Sequence, residues 1–471
     1  MRFMFRCLIF LAFFGPSSLS AQVPTATETL AAMKKAAQFY RHNVASHGGY
    51  VYYYTVDLRE RFGEGTANED QIWVQPPGTP TVGMAYLAAY NATGDRFYLD
   101  AATETGEALI YGQLKSGGWT NCIDFHPRGQ RAAAYRNGKG QGKNNSSLDD
   151  DQTQSAIRFL MHLDQAHAFN DKAIHEAVTI ALDALLAAQF PNGAFPQVWT
   201  GPVDPALPIK PGTFPSYDWR TEGRIKNYWD MYTLNDGLAG SVSTVLIDAH
   251  KIYNDERFLT ALTKLGDFLI LAQMPAPQPA WAQQYSYDMH PIWARRFEPP
   301  AIAGRESQDA IDTLLSIYEV THDDKYLAPI PAAVKYLEAS LLPNGQLARY
   351  YELQSNKPLY MNRNGKEYFL TYDDKDLPDH YGWKTDSQLA QLKARHHQLV
   401  AREKVSDPAI SANQVRELID HLDDKGRWIE THASQPLVGD QKFRSGDQYL
   451  SSQTFAENVT SMSDYLRSQP K

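Results

Sequence analysis

Three short stretches concentrate carboxylates, arginines and aromatic rings at spacings that permit chemistry. The first, Leu148-Asp149-Asp150-Asp151-Gln152-Thr153, directly precedes an apolar helical stretch that begins near Ser155. Asp149 and Asp151 alternate, so on extended backbone they point the same way and offer the hard oxygens that Ca²⁺ takes. The same acids would equally suit a helix N-terminus, where they complement its dipole, and the EF-hand pattern is absent. A related turn, Thr233-Leu234-Asn235-Asp236-Gly237, stands before the next helical hairpin. The second stretch is Trp281-Ala282-Gln283-Gln284-Tyr285 followed by Trp293-Ala294-Arg295-Arg296-Phe297-Glu298-Pro299-Pro300. Its adjacent arginines offer fixed donors for carboxylates beside an aromatic wall; the competing reading is an ion pair with Glu298 that pins the loop. The third, Leu347 to Leu353 followed by Pro358 to Lys366, reads as a hairpin-like insertion, with Arg349 and Tyr351 on one face and a turn at Asn364-Gly365. A GxSxG elbow, an HExxH pair, a phosphate-cradling glycine loop and a Cys/His pairing are all missing, and Cys122 alone reads as a core residue.

The elements that must position these residues repeat along the chain. Four connections join an apolar helix to a second helix through acids: Gly94-Asp95-Arg96, Asn170-Asp171-Lys172, Asn254-Asp255-Glu256 and Asp323-Asp324-Lys325. An Asp there suits the N-cap, its carboxylate accepting from free backbone N–H groups. Glycine turns carrying an aromatic or apolar residue follow the second helices at Gly117-Gly118-Trp119, Asn192-Gly193-Ala194-Phe195 and Asn344-Gly345-Gln346-Leu347, with relatives at Gly48-Gly49-Tyr50 and Gly426-Arg427-Trp428. Such a repeat predicts an all-α toroid of helical hairpins with little β structure, and long loops at Val51–Thr79, Ile123–Leu148, Trp199–Tyr228 and Met274–Ala303 to carry function.

Composition sets the remaining bounds. The 471 residues hold 45 Lys and Arg against 54 Asp and Glu, a net charge of −9, with 43% hydrophobic residues. That balance, without basic runs, argues against nucleic-acid binding. Arg2 and Arg6 before the apolar run Cys7 to Phe14, then Pro16 and the small residues Ser18, Ser20 and Ala21, read as a secretory signal peptide too short to span a bilayer. Residues 1–20 are therefore expected to be removed, leaving one domain, 21–471, a monomer without a membrane span, secreted or periplasmic. Cys122 would be its only cysteine, so no internal disulfide is expected.

Taken together, these motifs resemble those of the family 10 polysaccharide lyases, which are pectate lyases on an α-helical toroid. The resemblance runs from about Thr27 to Tyr465 and rests on GGW, the DDD run, AQFPNGAFPQ at Ala188–Gln197, the LND turn, AWAQQY, ARRFEPP, ARYYEL, NRNG and the terminal GRW. It implies cleavage of polygalacturonate by β-elimination aided by Ca²⁺. It further implies that Arg295 is the base taking the C5 proton and that Arg349 and Arg363 bind substrate carboxylates. Asp151 with Asp149 would be the calcium-associated acids, and Arg296, Asn121 and Asp236 further substrate contacts. An arginine acts as a base only where burial and neighbouring positive charge lower its pKa; Arg296, Arg349, Arg363 and bound Ca²⁺ are the candidates for that effect.

Two positions depart from the family pattern. Asn121 stands where the GGW motif usually continues to a lysine, and the NDD-like turn is reduced to Asn235-Asp236-Gly237. Two other readings compete with the lyase. A glycoside hydrolase on the same toroid would use an acid and a base drawn from Asp149, Asp151, Asp236 and Glu298. A non-catalytic glycan-binding protein would use the aromatics and arginines without a base.

Overall fold

The computed structural model describes residues 23–403, 410–433, 435, 437–439 and 441–469; the expected signal peptide lies outside them. Twelve α-helices are found among the described residues. They are α1 (Ala26–Phe39), α2 (Thr79–Thr93), α3 (Arg96–Tyr111), α4 (Gln152–Ala166), α5 (Lys172–Ala187), α6 (Leu238–Tyr253), α7 (Glu256–Ala272), α8 (Gly304–Thr321), α9 (Ile330–Ala339), α10 (Leu389–Val400), α11 (Ala412–Asp420) and α12 (Ser452–Ser468).

The capping acids explain where the second helices begin. The carboxylates of Asp95, Asp171 and Asp255 accept from backbone N–H groups in the first turns of α3, α5 and α7. Asp323 does the same for a short 3₁₀ turn, Asp324–Tyr326, ahead of α9. At the other end of the hairpins Gly48, Gly117, Gly193, Gly345 and Gly426 all have φ between 80° and 96°, and Tyr50, Trp119, Phe195, Leu347 and Trp428 then turn into the core. Gly193 is fixed by space as well: a Cβ would lie 1.8 Å from the Lys264 carbonyl oxygen.

Helix packing then builds a ring. α2 packs on α4, α4 on α6, α6 on α8 and α8 on α10, while α12 returns to α2. Outside them α3, α5, α7 and α9 each cover the helix that precedes them. The N-terminal helix α1 covers α12, and Tyr465 reaches back to the Pro24 carbonyl at 3.1 Å. The molecule is thus the α/α toroid that the repeat predicts. Alternation of inner and outer helices sends α2, α4, α6 and α8 the same way, so their N-terminal ends open on one mouth of the ring.

Strands are short and occupy the long connections. One group tied to the mouth is antiparallel and four-stranded, in the order Ala301–Ala303, Tyr350–Glu352, Pro358–Asn364 and Glu367–Thr371. Its last two strands form the expected hairpin, turning at Gly365-Lys366, one residue beyond the expected Asn364-Gly365, since Asn364 still pairs with Glu367. The expected common face of Arg349 and Tyr351 is corrected. Arg349 lies between two strands that pair with different partners, Leu347–Ala348 with Lys384–Thr385 and Tyr350–Glu352 with Ala301–Ala303. The alternation breaks there, so Arg349 turns to Glu306 while the Tyr351 hydroxyl donates to the Ser340 carbonyl at 2.6 Å.

Candidate active site

The acids gather where α4 and α6 begin. Asp149–Asp151 forms a 3₁₀ turn in which Asp150 and Asp151 both have left-handed backbone, at φ 45° and 61°. Asp236 and Gly237 repeat that pair ahead of α6, at φ 52° and 69°. The two turns touch, and oxygens of Asp149, Asp150 and Asp236 lie within 4.8 Å of one another. The pairing of Asp149 with Asp151 expected from alternation is therefore corrected. The left-handed turn swings Asp151 away to Arg158, whose Nη2 lies 2.5 Å from its carboxylate, and brings Asp150 in beside Asp149.

Burial and like charge act on these acids together. The Asp149 carboxyl is pushed up to about 6 by burial and then by Asp236, against a hydrogen bond from Gln197 at 2.8 Å and the positive charge of Arg295. Asp150 is pushed up to about 7 by burial, Asp236, Asp149 and Glu64, with Arg305 opposing. Asp149 and Asp150 thus resist ionising beside each other and Asp236, and the three carboxylates, all hard oxygen donors, form a set that suits a divalent cation such as Ca²⁺.

Positive groups face them from α8 and the adjoining loops. Arg305, in the first turn of α8, places Nη1 3.3 Å from Asp236. Arg349 is buried, with Nη2 2.9 Å from Glu306 and 3.4 Å from the side-chain oxygen of Asn235. Burial pulls its pKa down, but Glu306 and the neighbouring groups after it, Asp236 among them, together outweigh that and leave it raised. Its Nε has no partner.

Arg295 sits in the loop before the Ala301–Ala303 strand with its side chain 46% exposed, and Nη2 reaches the buried Glu298 carboxylate at 2.6 Å. Its own backbone N–H donates to the other Glu298 oxygen at 2.9 Å. Burial would lower the guanidinium's pKa, yet Glu298, which pairs with it directly, and then Asp236 hold it above the usual arginine value. This is the reverse of the lowering that a base requires. The ion pair named as the competing reading of this loop is thus present.

The remaining candidates lie further out. Arg296 is exposed. Arg363 is exposed on the Pro358–Asn364 strand opposite Tyr368, whose hydroxyl lies 2.9 Å from His380 Nε2. His380 is lowered by burial, and then by Arg363 and Arg295, which marks both arginines as its neighbours. Asn121 donates to Glu64 at 2.7 Å, on the side of the acid cluster formed by the N-terminal loops.

Asp150, Glu64, Arg305 and Glu306 were not singled out by the sequence reading. A signal for Arg305 and Glu306 does exist: they occupy the start of α8, as the acid turns occupy the starts of α4 and α6. Gln75 holds the matching place before α2 and donates to Asp150 at 3.2 Å.

Residues 113–346 match the family model described as pectic acid lyase. That span carries Asn121, both acid turns and Arg295; Glu64, Arg349 and Arg363 lie beyond it. Among solved structures, the chain is similar to a family 10 polysaccharide lyase from Cellvibrio cellulosa, with 20% identity and a TM-score of 0.46 over 67% of this chain and 95% of that one. A point mutant of a family 10 polysaccharide lyase from Cellvibrio cellulosa, in complex with trigalaturonic acid, gives 19%, 0.45, 69% and 99%. A cellobiose 2-epimerase from Spirochaeta thermophila gives 15%, 0.47, 96% and 99%. No curated protein matches the chain. The resemblance to polysaccharide lyases of pectic acid is thus shown over residues 113–346.

Proposed function

We propose that the protein is a secreted or periplasmic lyase that cleaves polygalacturonate, or a related polyuronate, by calcium-assisted β-elimination. The observation that carries this reading is the meeting of three carboxylates with Arg295, Arg305 and Arg349 at one mouth of the toroid. Asp149, Asp150 and Asp236 would hold the cation. When bound, Ca²⁺ supplies positive charge against the uronate carboxylate beside the reacting carbon.

The residues of the chain answer the chemical difficulty in turn. A C5–H beside a carboxylate is a poor acid, because losing its proton adds negative charge next to an existing one. Arg349 and Arg363 would meet sugar carboxylates, so that the developing enolate-like charge is stabilised in place. Arg295 would take the C5 proton; the C–H pair becomes the C4–C5 double bond, the C4–O bond breaks, and the departing oxygen takes a proton from water, while Arg295 returns its own to solvent. Asn121, Arg296 and Asp236 would line the path of the polymer. Because Glu298 holds Arg295 charged in the free protein, activity is expected on the alkaline side of neutrality. We also propose that residues 21–471 form one monomeric domain after signal removal. No helix among the described residues is long and apolar enough to cross a membrane.

Replacing Arg295 by Ala tests the reading. Ultraviolet absorbance of unsaturated products is expected to fall by about 10²–10⁴-fold in rate, the span typical of losing a general base, while sedimentation with the polymer persists. Full activity of the variant would overturn the assignment.

A further inference from the structure

Glu298 is almost fully buried, at 2% exposure, in a site that otherwise faces an anionic polymer. Its carboxylate takes both the side chain and the backbone N–H of Arg295. The Tyr381 hydroxyl reaches the same oxygen, Oε1, at 3.0 Å. That hydroxyl also lies 2.7 Å from the Tyr350 hydroxyl, which itself donates to Gln283 at 2.7 Å; the charged carboxylate is the stronger acceptor of Tyr381's one proton. The Tyr381 ring lies between the two arginines, 5.5 Å from the Arg295 guanidinium and 5.1 Å from that of Arg349.

We propose that Glu298 is a positioning residue that aims Arg295 and sets the pH above which it can accept a proton, and that the Tyr381 hydroxyl weakens that hold by sharing the carboxylate. This deepens the elimination reading above and rests on it. The physical argument is one of competition. A full negative charge 2.6 Å from the guanidinium stabilises its charged form, so the proton leaves only at higher pH. A donor on the carboxylate draws off part of that charge, so removing the donor strengthens the hold on Arg295.

Other charged and titratable groups bear on the same guanidinium. They are Asp149 and Asp236 from the turns before α4 and α6, Tyr228 from the loop before α6, and His380 beside Tyr381. All of them stay in place in the two variants chosen for the test, so the Glu298 and Tyr381 contributions can be read separately.

The experiment is the pH profile of kcat on polygalacturonate, with calcium, for the wild type, Glu298→Gln and Tyr381→Phe. Gln keeps the shape and the acceptor oxygen of Glu298 without its charge, and Phe keeps the ring. The acidic limb of the Glu298→Gln profile is expected to move down by about one pH unit or more, and that of Tyr381→Phe to move up, each with KM changed only a few-fold. Opposite displacements are not what loss of structure produces. With elimination intact in the wild type, a Glu298→Gln limb that does not move down would overturn the role of Glu298, and a Tyr381→Phe limb that does not move up would overturn that of Tyr381. Absence of elimination in the wild type would overturn the parent reading and this inference together.

Discussion

Asp150 and Asp151 are adjacent, chemically identical and placed to do different things. Asp150 faces Asp149 and Asp236, whereas Asp151 is taken up by Arg158 at 2.5 Å. Asp150→Asn is therefore expected to weaken calcium binding, read by isothermal titration, by tenfold or more, with little change in thermal stability. Asp151→Asn is expected to leave calcium affinity close to that of the wild type and to cost about 1–3 kcal/mol of stability through the loss of a charged hydrogen bond. The reverse result would return the metal site to the alternating pair that the sequence suggests. Residue types at this site were legible because acids and arginines cluster in few loops. Their partners were not, because two consecutive left-handed residues undo the alternation on which the choice of Asp149 with Asp151 relied.

At the scale of elements, the site is the meeting of helix starts. The turns before α4 and α6 share one backbone path and touch, which forces their acids together. This arrangement has a sign with pH. Asp149 and Asp150 are raised in the folded protein to about 6 and about 7, while in the unfolded chain they titrate near 4. The unfolded chain thus binds fewer protons between about pH 4 and pH 7, so stability falls as pH rises through that window and the loss is complete above it. A cation that neutralises the cluster removes this penalty. The rise in melting temperature on adding CaCl₂ in place of chelator is accordingly expected to be clearly larger at pH 8 than at pH 5. Equal rises, or none at either pH, would contradict the assignment of the cluster as a cation site. Capping acids and glycine turns were readable from the sequence because each has a local physical cause, an N–H to satisfy or a positive φ to allow. The pairing of Arg305 with Asp236 has no local cause, since the two residues stand 69 apart in the chain and meet only when α8 packs on α6.

At the scale of the molecule, closure of the ring decides what the site can be. The return of α12 to α2, with α1 laid over the seam, joins residues from the two ends of the chain. The Tyr40 hydroxyl donates to the Ser451 carbonyl at 2.8 Å, and the Ser452 hydroxyl to that of Val51 at 2.6 Å. The repeat predicted the toroid because every hairpin carries the same cap and turn, whereas closure depends on contacts between residues at opposite ends of the chain. Closure also brings the N-terminal loops, with Glu64 and Asn121, to the acid side of the mouth, while the Tyr350–Thr371 strands bring Arg363 to the basic side. A chain of net charge −9 can in this way present a local meeting of cation site and arginines to a polyanion. The central claim is the elimination itself, and the most direct measurement is ultraviolet absorbance during incubation of the mature protein with polygalacturonate, once with Ca²⁺ and once with chelator. A rise that requires calcium is the predicted result; new reducing ends without any rise in absorbance would contradict it and move the chemistry to a hydrolytic use of the carboxylates.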